Sequence, residues 1–172
     1  MLQLISVVLL IYSFFVTRMT IPTLPQRIPT HFNASGAADG WGSPDIFWLL
    51  LGAQALCTVL FLGLPLLGQL FPGAIHLGRR RLGDFPPSQR PRVLALLSNM
   101  SAYISIVMNA FFVMMLHEII QAAREPIPRL HPLFPLGLMI GGMVVITIYY
   151  LLRFNAAAKG NDEVDSPRPD VP

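Results

Sequence analysis

The sequence predicts an all-α membrane protein: four transmembrane helices with a structured Pro/Gly-rich outer loop, shaped as a short hairpin, between the first two. Three observations carry this reading. Hydrophobic residues make up 53% of the 172 and charged residues only 12%, about half the charge of an ordinary soluble domain. The apolar residues are gathered into long runs almost free of charge, which belong in a bilayer once they exceed about 18 residues. Prolines and glycines are concentrated between the runs. A soluble globular domain is excluded. The single cysteine, Cys57, also excludes a disulfide framework within the chain and any zinc site of two or more thiolates; lying inside an apolar run, it reads as a packing thiol.

The first span, 2–17, begins at the start methionine and rises about 24 Å, slightly short of the hydrocarbon core. No Lys or Arg precedes it and no small-residue cleavage site follows, so it reads as an uncleaved anchor. The second span, 46–71, is announced by Ser43-Pro44-Asp45: a capping hydroxyl, a proline suited to the first turn and an acid at the positive helix end. Pro65 kinks its last turns and Pro72-Gly73 stops it. The third, 93–120, holds neither proline nor glycine and at about 42 Å must tilt or project. The fourth, 133–152, ends at Arg153, placed to snorkel to the interface. Residues 1–153 thus form one membrane domain, and 154–172, mixing Gly, Pro, Asp and Glu, read as a disordered cytoplasmic tail.

Charge sets the direction, because Lys and Arg are retained in the cytoplasm. Arg79, Arg80, Arg81, Arg90, Arg92, Arg153, Lys159 and Arg168 lie on one side, against Arg18, Arg27, Arg124 and Arg129 on the other. Both termini are expected in the cytoplasm, with 18–45 and 121–132 outside. This asymmetry accounts for the isoelectric point near 9.5. The arginine cluster needs no nucleic acid as partner, since no aromatic or helical reading element accompanies it; attraction to anionic lipid is its functional reading.

Small and polar residues mark where membrane helices meet. Ser98, Ala102, Ser105 and Asn109 recur at helical spacing on the third span, and Gly137 and Gly141 form a G-x-x-x-G step on the fourth. The two stripes are candidates to face each other; the second reading of the glycine step is an oligomer interface. Gln54 and Thr58, four apart on the second span, are read in the same way.

The loop 18–45 is the most informative stretch. Pro22, Pro25 and Pro29 stiffen it. An extended 30–33 would put His31 and Asn33 on one face and Phe32 on the other, with Gly36 and Asp39-Gly40 supplying turn chemistry. Trp41 suits the headgroup level.

The string Leu24-Pro25, Ile28-Pro29, His31-Phe32-Asn33, Gly36, Asp39-Gly40 and Gly42, followed directly by a span, resembles the family called domain of unknown function 1648, which also forms the N-terminal part of Sdp-type toxin-immunity proteins of spore-forming bacteria. The resemblance implies a multi-pass protein of the bacterial cytoplasmic membrane with no established reaction. From the immunity proteins it implies protection against a membrane-active peptide toxin and capture of a cytoplasmic regulator. The sequence departs from those proteins at Pro44, where they often carry a basic residue, and it lacks their Gly-Ile-Arg-Thr-Pro-Trp-like segment.

His31, His117 and His131 fall on the outer side with Asp39, Glu118 and Glu125. Imidazole and carboxylate are zinc ligands, but neighbours such as His117 and Glu118 point about 100° apart on a helix, and no H-x-x-x-H or H-E-x-x-H occurs. No cofactor is expected. Neither G-x-S-x-G nor a Cys-His arrangement offers a nucleophile beside a base, so catalysis is not expected. The first expectation is a non-catalytic module binding a small ligand or peptide at the outer loop, in signalling or toxin immunity. The alternatives are a transport component, which should show ionisable groups at mid-membrane, and a metal-dependent membrane enzyme.

Overall fold

The structure, a computed structural model, describes residues 1–77 and 80–159. Four helices are long and apolar enough to cross a membrane: α1 (Leu2–Thr20), α2 (Ile46–Leu70), α3 (Arg90–Ala122) and α4 (Leu133–Lys159). The chain is an all-α integral membrane protein.

Three helices outrun their expected ends, α3 reaching Arg90 and Ala122 where 93–120 was expected. α1 continues past Thr17 to Thr20 and tightens into a 3-10 turn, Ile21–Thr23, that admits Pro22 in its first turn. Leu24 is then extended, as the residue before Pro25 must be. α4 runs past Leu152 to Lys159, so 154–159, expected in the tail, are helical. Ala156, Ala157 and Ala158 favour helix intrinsically, and Phe154 is anchored in a buried cluster. The rest of the expected tail, 160–172, lies outside the described residues.

α3 is the central helix, packed against α1, α2 and α4. Its buried positions explain why. Val93, Leu97, Ser101, Ser105 and Asn109 recur every four residues, and each such step advances roughly 40° around a helix of 3.6 residues per turn. The buried stripe therefore winds from one neighbour to the next. Elsewhere the helices leave large apolar side chains uncovered, among them Leu49, Val59, Leu138, Val145 and Leu152, the reverse of a soluble bundle and the surface that lipid tails solvate.

Each end of the bundle carries a small cap. At one, the hairpin end, β1 (Ile28–Phe32) pairs antiparallel with β2 (Ala38–Gly42). At the other, the arginine end, β3 (His76–Leu77) pairs with β4 (Arg80–Arg81), followed by a 3-10 turn at Leu82–Asp84. Of the arginine cluster, Arg79 lies outside the described residues. Leu77, Leu82 and Phe85 pack beneath Val93, Leu97, Tyr150 and Phe154, and Arg90 fastens this cap by donating from its guanidinium to the carbonyls of Phe85 (3.0 Å) and Gly83 (2.9 Å).

Candidate functional site

The hairpin is built from the signature residues of the loop, each with a separate duty. Ile28 is fully buried and packs with Phe47, Leu116, Ile120 and Ala123, which seats β1 on α2 and α3. Pro29 is buried beside it. At the turn, the Asn33 side-chain oxygen accepts from the Ser35 N–H (2.9 Å), the Ser35 hydroxyl (2.7 Å) and the Ala37 N–H (3.1 Å). Gly36 completes the turn at φ 76°, a conformation that costs a residue with a Cβ. Asp39-Gly40, read from sequence as turn chemistry, lies instead inside β2. Gly40 sits opposite His31, and a Cβ there would meet the His31 Cβ at 2.7 Å. Gly42 is similarly crowded by Thr30, at 3.0 Å.

His31 Nδ1 bonds across the hairpin to the Asp39 carboxylate, with side-chain exposures of 73% and 44%. An ionised carboxylate can only accept, so Nδ1–H is the donor in this bond. The simple alternation expected over 30–33 is not kept, because the register shifts on either side of His31. Asn33 is drawn into the turn rather than standing beside His31, since an irregular register breaks the period of two. Trp41 is paired with Pro29 and about half exposed, and Pro25 lies in the bent segment that leads into the strand.

A third segment, which the sequence reading did not assign to the site, clamps the turn. Leu130 N–H donates to the Gly36 carbonyl (2.9 Å), Ala38 N–H to the Pro128 carbonyl (3.4 Å), and Ala37 bridges to Arg129. Contact is so close that a Cβ on Gly36 would lie 2.5 Å from the Leu130 oxygen. Pro126, Pro128 and Pro132, two and four residues apart, make this segment proline-rich like the first loop, whose prolines are three and four apart; that was its available signal. Between the turn and the entry to α4 lies an open cleft of about 350 Å³, lined by Phe32, Asn33, Ser35, Gly36, His131 and Leu133 among others.

The weak metal candidates are engaged in separate contacts. His31 faces Asp39, His117 Nε2 bonds the Tyr12 hydroxyl at 2.9 Å, and the Glu118 carboxylate accepts the His131 backbone N–H at 3.2 Å. Among the described residues no three His, Cys, Asp or Glu side chains converge.

Within the membrane region, Asn109 joins α3 to α2. Its Nδ2 donates to the Thr58 hydroxyl and the Ser105 carbonyl, both at 2.9 Å. Its Oδ1 accepts from Gln54 Nε2 at 2.9 Å, and the Thr58 hydroxyl donates to the Gln54 carbonyl at 2.8 Å. Every polar atom of the Asn109 carboxamide is thereby matched in a buried site, as a low-dielectric interior demands. Ser98 receives a bond from Gln3 at 3.4 Å, on α1 rather than α4.

The glycine step requires a correction. A Cβ on Gly137 or Gly141 would meet nothing within 4 Å, whereas one on Gly142 would press on both methyls of Val107 at 3.2 Å. Gly142, not the G-x-x-x-G pair, lets α4 approach α3. Gly68 does the same for α2, 3.2 Å from the methyls of Leu82, Leu94 and Leu97.

Four apolar helices, a central α3 and a clamped hairpin define a multi-pass membrane protein with one structured loop. The model of the domain of unknown function (DUF1648) matches residues 8–57, a stretch that brackets the hairpin with α1 and the first half of α2. Over 133 residues the chain is 32% identical to transmembrane protein 278 of Bos taurus, a match covering 67% of this chain and 76% of that protein. No solved structure matches. The chain belongs to the DUF1648 family.

Proposed function

We propose that this protein is a non-catalytic recognition module, with the hairpin end as a preformed receptor for a small ligand or an extended peptide. The supporting observation is the clamp: backbone bonds from the 128–130 segment fix the Asn33–Ala37 turn while leaving an open cleft beside it and the His31–Asp39 pair facing outward. Such a site meets a ligand without first ordering a loop, which lowers the entropic cost of binding. Phe32 and Leu133 offer apolar walls, and His131 and Ser35 supply polar edges.

In this reading the hairpin end faces away from the cytoplasm and both termini face into it, following the arginine asymmetry. The family resemblance favours a bacterial cytoplasmic membrane, a membrane-active peptide as the ligand, and a cytoplasmic regulator as the responding partner. Reporter fusions after residue 38 and after residue 153 test the orientation; a cytoplasmic report from the first overturns it. For recognition, cells expressing the wild type are challenged with membrane-active peptides beside cells expressing His31→Ala with Asn33→Ala. Protection by the wild type and its loss in an equally inserted variant is the expected result. Protection by neither, with both equally inserted, removes the immunity reading, and equal protection by both, or unchanged peptide cross-linking to 31–36 and 130–133 in both, removes His31 and Asn33 as the receptor.

A further inference from the structure

At the arginine end, α3 and α4 enclose a second cavity of about 190 Å³ whose lining includes Arg92, Arg153, Val93, Leu96, Ala156 and Ala157. Both arginines line one space, and among the described residues no carboxylate lines it. Arg92 makes no hydrogen bond or ion pair among the described residues, and Arg153 uses part of its five-donor fork, donating to the Tyr149 hydroxyl at 3.4 Å with the guanidinium 5.8 Å above the Tyr149 ring. Both arginines stand where an apolar run ends: Val93 follows Arg92, and Leu152 precedes Arg153. Basic residues at the end of an apolar span favour the level of the lipid phosphates, in either leaflet, so the argument does not depend on which way the protein faces.

The same groove continues into the membrane. Two turns along, Tyr103 of α3 and Val145, Ile146 and Tyr149 of α4 line an apolar cleft of about 250 Å³. Tyr149, which lines the cleft, and Arg153, which lines the cavity, are one helical turn apart and in contact, so the two lie end to end between α3 and α4. A polar, doubly cationic mouth at the interface above an apolar trough has the form of a headgroup followed by an acyl chain.

We propose that this α3–α4 groove is a binding site for an anionic membrane lipid, its phosphate held by Arg92 and Arg153 and its first acyl segment laid over Tyr149 and Val145. Guanidinium suits the role because its planar fork meets phosphate oxygens in pairs, and basic pockets between helices at the membrane surface are recurrent headgroup sites.

The full chain, reconstituted in phosphatidylcholine nanodiscs containing a minority of phosphatidic acid, is released into the gas phase and its retained lipid weighed by native mass spectrometry. The wild type retains phosphatidic acid over phosphatidylcholine. Losing one arginine should lower retention about five-fold, and Arg92→Gln with Arg153→Gln about 25-fold, from roughly 1 kcal/mol per basic residue. Arg27→Gln with Arg129→Gln, at the opposite end, leaves retention unchanged. Arg92→Lys keeps more lipid than Arg92→Gln. Undiminished retention in a double variant whose unfolding midpoint matches wild type overturns the site. Displacement of the lipid by inorganic phosphate at equal concentration also overturns it, since that assigns the arginines to a free anion with no part for the trough.

Discussion

At the hairpin end, β1, β2 and the 128–130 segment are joined through backbone N–H and C=O groups. At the arginine end, the chain between α2 and α3 is held by the buried side chains of Leu77, Leu82 and Phe85 on Tyr150 and Phe154, with Arg90 as a clasp. A cap made of backbone bonds demands small residues where strands approach and a left-handed residue where the chain turns, but it leaves side chains free to face outward. A cap made of side chains tolerates backbone variety and demands volume. The first arrangement suits presentation of a binding surface, and the second suits closure of a bundle.

The contrast breaks most sharply under exchange of perturbations. Leu82→Ala, at a position 1% exposed, should cost about 2–4 kcal/mol in a denaturing-detergent titration and leave the hairpin amides protected. Gly36→Val should cost roughly 2–3 kcal/mol from its φ and its clash with Leu130. Hydrogen exchange should then rise at 36–38 and 130 while the arginine end stays protected. Coincident loss of protection at both ends in either variant would show that the caps are not independent.

Smaller effects sharpen the comparison inside the bundle. Gly142→Leu should destabilise by about 1–3 kcal/mol through overpacking on Val107, and Gly141→Leu, one residue away, by less than about 0.5 kcal/mol. Equal losses would mean that Gly141 is covered, as in an oligomer, and cross-linking would show the second copy. Asn109→Leu should cost about 0.6–1.7 kcal/mol, the range for hydrogen bonds between membrane helices. His31→Ala, exposed on the hairpin, should change stability within about 0.5 kcal/mol, so that any loss of ligand response reports recognition rather than folding.

Much of this was legible in particular residues. The spans were readable because a charge-free run of leucines and valines has one favourable solvent. The turn was readable at Gly36, which supplies its left-handed residue, whereas Asn33, expected beside His31 on an extended face, instead holds the turn with its side-chain oxygen. Asp39-Gly40 misled because the pair is turn-like in isolation, while Gly40 was needed for its missing Cβ opposite His31. The end of α4 misled because the charge of Arg153 marks an interface, not a helix terminus, and the alanines beyond it carry the helix on.

The sequence by itself determined that this chain crosses a membrane by helices and that a stiff, proline-spaced loop interrupts them, since burial of backbone polar groups and proline sterics act within a few residues. Only the tertiary structure decided which glycine touches a neighbour, that 128–130 grips the turn, and that Arg92 and Arg153 share a cavity. α4 is apolar on nearly every face, so no periodicity in its residues selects the side that meets α3. That choice belongs to the fit of Gly142 against Val107, a contact between positions 35 residues apart.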